Sequence, residues 1–191
     1  MVRRVLAGDR EAFRVLVENE GQAVVRTCER ILGNRHDAED AAQETFVIAY
    51  RSLGAWRADG PFGAWLARIA VRIALRHVAQ RRNVAWLDPM ASSTAVDESV
   101  RAAEVAEVGS DPLGLALLSE RAASVRRAVA TLAEPYREIV ALRFFAERSL
   151  IEIAHETGRP LGTVKTQLHR GLVRLRAELE SGSGDSRELG S

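Results

Sequence analysis

The sequence predicts an all-α fold: two small helical domains joined by a flexible acidic linker, the C-terminal one containing a helix-turn-helix. Three observations predict it. Apolar residues recur at spacings of three and four in both halves of the 191-residue chain. A stretch rich in Ser, Asp, Pro and Gly separates the two periodic blocks. Charge follows the same division: residues 1–82 carry 14 arginines against 10 carboxylates, residues 83–120 one arginine against seven carboxylates, and residues 121–180 eleven cations against seven. A formal net charge of +1 therefore hides two basic blocks around an acidic middle. That pattern suits two polyanion-facing modules and a segment that avoids or mimics a polyanion. Charge clustered on solvated helix faces gives the same count.

The boundaries that follow are residues 1–82, a linker at 83–114, residues 115–180 and a disordered tail at 181–191. In the first block, Phe13, Leu16, Val17, Val24, Val25, Cys28, Ile31 and Leu32 make one helical pattern. Gly33 and Asn34 are suited to ending it. A second helix is predicted from about Asp37 to Leu53, its acidic first turn favoured by the helix dipole. A loop, "GAWRADGPFGAW", follows, with Pro61 at the head of a third helix. Phe62, Trp65, Leu66, Ile69, Ile73 and Val78 form that helix's apolar stripe, and Arg68, Arg72, Arg76, Arg81 and Arg82 lie off it. The linker is expected to hold at most a short helix near Val100 to Val108.

The last block predicts a helix from Leu117 to Thr131 and another headed by Pro135. Ser149 followed by Glu152 is a capping box, in which hydroxyl and carboxylate satisfy two orphan N–H groups. The helix it opens ends at Thr157-Gly158, and Pro160 disfavours helical geometry at Arg159. The final helix places Val164, Leu168, Leu172, Leu175 and Leu179 on a stripe read as buried. Lys165, Thr166, His169 and Arg170 fall on its other faces. A short capped helix, a tight turn and a second amphipathic helix make a helix-turn-helix, whose second helix enters the major groove with its N-terminal half. A helical hairpin with a solvated basic face has the same spacing.

Other chemistries find little support. Cys28 is the single cysteine and reads as a small buried hydrophobe. His36, His77, His155 and His169 lack metal-ligand spacing, so no metal or cofactor is expected. Nucleophile–base pairing and a Gly-rich phosphate loop are missing too, which argues against an enzyme. Without a signal peptide or membrane-length apolar run, a cytoplasmic protein is expected, with no membrane insertion.

"LAEPYREIVALRFFAERSLIEIAHETGRPLGTVKTQLHRGLVRLRAEL" closely resembles region 4 of bacterial sigma factors, especially the extracytoplasmic-function (ECF) group. "DAEDAAQETFVIAYRSL" followed by "FGAWLARIA" resembles region 2 of the same group. The resemblance implies a non-enzymatic factor that binds core RNA polymerase, at the β-prime clamp helices and the β flap, and directs transcription initiation at promoter DNA. An anti-sigma partner, typical of the group, is also implied. Carried over residue by residue, core binding falls on Asp37, Asp40, Gln43, Glu44 and Phe46. Minus-10 recognition falls on Trp56, Arg57, Asp59, Gly60, Phe62, Arg68, Arg72 and Arg76. Minus-35 recognition falls on Thr163, Lys165, Thr166, His169 and Arg170. Arg72 and Arg76 stand where the family usually shows Asn and Asp, and Gln167 where many relatives have Arg. The acidic linker matches the segment that threads the polymerase near the RNA exit path, or serves only as a tether. Two rival readings are a helix-turn-helix regulator that binds operator DNA without core polymerase, and a helical protein-binding module.

Overall fold

In the computed structural model, which describes residues 2–56, 60–87 and 112–188, every regular element is helical. Helix α1 spans Val2–Leu6 and α2 spans Arg10–Leu32. The pattern predicted from Phe13 to Leu32 lies unbroken within α2; a break at Ala7-Gly8 separates it from α1, and Asp9 opens it by accepting from the Ala12 N–H at 3.0 Å. Gly33 ends α2 at φ 83°, a left-handed conformation that glycine adopts without steric penalty. Asn34, expected to share in that ending, instead opens α3, Arg35–Ser52, by accepting from the Asp37 N–H at 2.8 Å. The polypeptide then passes a 3-10 turn at Leu53–Ala55.

Helix α4, Phe62–Leu87, runs beyond the predicted boundary at residue 82. Pro61 stands one residue ahead of it, its carbonyl accepting from Ala64 and Trp65. The C-terminal block holds α5 (Pro112–Thr131), α6 (Tyr136–Phe144), α7 (Leu150–Thr157) and α8 (Leu161–Glu188). Helix α5 begins earlier than predicted. Helix α8 continues through most of the expected disordered tail, since extending an established helix adds one hydrogen bond per residue fixed, without a new nucleus. The short helix expected near Val100 to Val108 lies outside the described residues.

The packing differs from two lobes standing apart. Helices α2, α3 and α4 pack together, and α4 also contacts α5, α6 and α7. One apolar cluster runs from Val24, Cys28 and Ile31 through Leu66, Ala70 and Val71 to Val129, Ile139, Leu142, Ile153 and Val164. The cause lies in α4. Besides the predicted stripe, Ala64, Ala67, Ala70, Val71, Ala74 and Leu75 are all buried. A helix apolar on so much of its circumference needs covering on more than one side.

The capping box forms as read: the Glu152 N–H donates to Ser149 Oγ at 3.2 Å and the Ser149 N–H to Glu152 Oε2 at 2.7 Å. Replacing Ser149 with alanine is expected to cost about 1 kcal/mol of stability, measured as a shift in the urea midpoint. An unchanged midpoint would show that the cap contributes nothing.

Candidate nucleic-acid interface

The turn between α7 and α8 is built locally. Gly158 sits at φ 66°, its N–H donating to the carbonyls of Ala154 and His155. Pro160 follows, and its carbonyl accepts the Val164 N–H at 3.1 Å as α8 begins. Val164, fully buried, pins the first turn of α8, and buried Gly171 lets α8 approach α6 at Tyr136 and Val140. Thr163, Lys165, Thr166, His169 and Arg170 are all exposed. The Thr166 hydroxyl donates back to the Gly162 carbonyl at 3.0 Å. The predicted buried stripe is correct only at its start. Leu168, Leu175 and Leu179 are half-buried and Leu172 is exposed, because α8 outruns the helices that cover its first turns. Leu172, Leu175 and Leu179 line an open groove with Arg176 and Glu180.

On α3, Asp40 and Gln43 are exposed, whereas Phe46 is half-buried against the core. Asp37 pairs with Arg81, and Glu44 is held by Arg76 and by His77 Nε2 at 3.0 Å. Burial would raise the Glu44 carboxyl, but His77 and Arg76 outweigh it and hold it below its usual range. Val47 and Tyr50, exposed apolar residues on the same helix, were missed by the sequence reading. Their spacing from Asp40 and Gln43 supplies the signal: 40, 43, 47 and 50 follow one helical face.

Of the predicted minus-10 residues, Trp56, Gly60, Phe62 and Arg68 are partly covered, whereas Arg72 and Arg76 stay exposed and Arg76 turns to Glu44 on α3. Trp56 packs edge-on to Phe62 at 5.7 Å between centroids, with Trp65 at 6.5 Å. Gly60 abuts the His155 ring so closely that a Cβ there would lie 2.7 Å from Nδ1. Arg57 and Asp59 lie outside the described residues. Arg68 Nε and Arg72 Nη2 each donate to Glu138 Oε1 at 2.8 Å, and Arg159 Nη1 reaches Oε2 at 3.2 Å. Glu138 comes from α6, and its side chain is only 5% exposed. Burial would raise its carboxyl; the hydrogen bond from Arg68 and the charges of Arg68, Arg72 and Arg159 hold it below the usual range. Arg68 Nη1 also donates to the Glu156 carbonyl at 2.9 Å, and Arg148 Nη2 to the Gly63 carbonyl at 2.9 Å. Arg30 Nη1 donates to the Phe145 carbonyl at 3.1 Å.

Known proteins match this arrangement at both ends. Sigma-70 region 2 matches residues 16–84 and Sigma-70 region 4 matches residues 122–175. The chain is 31% identical over 178 residues to the ECF RNA polymerase sigma factor SigW of Bacillus subtilis, covering 93% of this chain and 94% of the relative. This chain belongs to the ECF sigma factors. It is also 34% identical over 171 residues to the RNA polymerase sigma-H factor of Pseudomonas aeruginosa, covering 89% and 87% of the two chains. Among solved structures, CnrH in complex with the cytosolic domain of CnrY superposes with a TM-score of 0.54 at 23% identity, covering 94% of this chain and 95% of CnrH. That likeness concerns the fold.

ECF sigma factors bind core RNA polymerase and direct promoter recognition, so membership favours this function over a stand-alone operator-binding regulator. No helix among the described residues is long and apolar enough to cross a membrane. The sequence reading missed Glu138, Arg148, Arg159 and Arg30 in this sigma factor. Glu138 carried one signal: a carboxylate directly before the buried run Ile139–Leu142.

Glu156 is the other buried acid beside this cluster. Its side chain is 3% exposed, and the nearest cation atom, Arg148 Nε, is 3.7 Å away. Burial pushes its carboxyl up to about 7; Arg148 and Arg68 pull it down, while Glu152 and Glu138 push it further up. The sigma factor therefore binds this proton more tightly folded than unfolded. The stability it contributes is complete below the ordinary value of 4.5 and is lost as pH rises through about 7. Glu138 acts in the opposite sense, and its contribution is lost only as pH falls through its lowered value. The melting temperature is expected to rise between pH 8 and pH 5.5, and Glu156→Gln to flatten that slope. Identical slopes in the two proteins would refute the assignment.

Proposed function

We propose that this sigma factor works in the cytoplasm, performs no catalytic step itself, and divides promoter recognition between its two basic blocks while bound to core polymerase. Thr163, Lys165, Thr166, His169 and Arg170 read the minus-35 duplex from the N-terminal half of α8. The observation that carries this is their shared exposure on the helix that the capped turn presents, the geometry a major-groove reader needs. Side chains there reach base edges or phosphates, and basic charge supplies the sequence-independent attraction.

Core polymerase docks on α3. Asp40 and Gln43, extended by Val47 and Tyr50, form an acidic and apolar ridge suited to a basic amphipathic helix. Asp37, Glu44 and Phe46 support that ridge through Arg81, through Arg76 and His77, and through the core. Single-stranded minus-10 DNA is taken by Trp56, Arg57, Asp59, Gly60 and Phe62, with Arg68, Arg72 and Arg76 on α4 attracting its phosphates. CnrH, similar in fold, is held by the cytosolic domain of CnrY; an anti-sigma partner belongs to the reading for this chain too.

A run-off assay with purified chain, core polymerase and a promoter library tests the proposal. Core-dependent transcripts, with enriched minus-10 and minus-35 sequences, are expected. A helical, inhibitor-free chain that yields none would refute it. Tight duplex binding without polymerase would point instead to the stand-alone regulator.

A further inference from the structure

We infer that Glu138 is an intramolecular stand-in for the minus-10 strand: by engaging Arg68 and Arg72 it shuts α6 and α7 over that face, so the free chain takes single-stranded DNA only when its two halves part. The inference rests on the proposed role of Arg68 and Arg72 and adds how that site is regulated.

Arg68 and Arg72 are four residues apart and so share one ridge of α4. Both spend a guanidinium hydrogen bond on the same Glu138 oxygen. A carboxylate offers them what a phosphate would, anionic acceptors matched to the guanidinium fork. The N–H groups that hold Glu138, Arg68 Nε and Arg72 Nε and Nη2, cannot serve a phosphate at the same time. The closure does not hang on this pair alone. Arg159 holds the second Glu138 oxygen, Arg68 also grips the Glu156 carbonyl, and Arg148 grips the Gly63 carbonyl. The His155 ring presses on Gly60, within the predicted base-capturing loop.

Size makes the closed form incompatible with simultaneous promoter contacts. Positions −10 and −35 are separated by roughly 25 base pairs, about 85 Å at 3.4 Å per pair. A compact chain of 191 residues has a radius of gyration of only about 16 Å. The halves must separate to touch both elements. The 24-residue length of sequence between Leu87 and Pro112 supplies enough chain, up to about 80 Å if fully extended.

The test uses the full chain, a fluorescein-labelled mixed-sequence 12-nucleotide single strand read by anisotropy, and small-angle scattering. Glu138→Gln leaves three guanidinium groups without their anion. Arg148→Ala removes a separate tie outside the predicted DNA set. Both variants are expected to expand, keep their helical signal, and bind the strand about tenfold tighter, as releasing a masked state does. Adding Arg68→Ala and Arg72→Ala to Glu138→Gln should keep the expansion and abolish the gain. Variants that stay compact and bind like the wild type overturn the inference, as does expansion without tighter binding. Should the substitutions unfold the protein, the wild type still decides: saturation with the oligonucleotide must enlarge its radius of gyration, and an unchanged radius refutes the closure. Core-dependent run-off by the wild type, measured in parallel, separates this failure from failure of the sigma-factor role.

Discussion

Replacing Leu66 with alanine is expected to remove about 2–5 kcal/mol of stability, a large share of the roughly 5–15 kcal/mol typical of a folded domain. Leu66 is fully buried on α4, the helix that contacts α2 and α3 on one side and α5, α6 and α7 on the other. Deleting its isobutyl group removes apolar burial and leaves a cavity that rigid helices on both sides cannot close. Ile151 is the control. It is 70% exposed on α7, and Ile151→Ala is expected to change stability by no more than about 0.5 kcal/mol. Urea unfolding followed by helical circular dichroism measures both. A loss below about 1 kcal/mol at Leu66, or a larger loss at Ile151, would contradict the central placement of α4.

Arg170→Ala and Lys165→Ala are expected to produce the largest functional losses, and the pattern of loss identifies each contact. A side chain bidentate to a base contributes about 1–3 kcal/mol of discrimination, or roughly 5- to 150-fold in initiation rate at one base pair. A side chain on phosphate weakens binding to every sequence alike and lowers the salt slope by about one. Core-dependent run-off rates across single-base substitutions in the minus-35 element, at two salt concentrations, separate the two cases. Wild-type rates in both variants, across the whole set, would remove this face of α8 from promoter recognition.

Local chemistry explains why much of the C-terminal block was readable in advance. Ser149, Glu152, Gly158 and Pro160 act within one or two turns of themselves, so their types and spacing determine the cap, the stop and the turn. The exposed set on α8 follows from helical geometry once Val164 is placed inward. The closed packing of α4 was harder to read. "AWLARIAVRIAL" contains both of its buried sides, but one stripe of the larger residues leaves Ala64, Ala67, Ala70 and Ala74 unassigned. Glu138 meets Arg68 and Arg72 across separations of 70 and 66 residues. No periodicity within a helix carries that pairing. It exists only after two distant segments have docked.

Cys28 has a practical consequence. The only thiol in the chain is fully buried, and burial pushes it up to about 12. Near pH 7.5 the thiol stays protonated, and alkylating reagents cannot reach it in the folded state. A cysteine introduced at any surface position would therefore be the sole attachment point for a dye or spin label, with the native residue left in place.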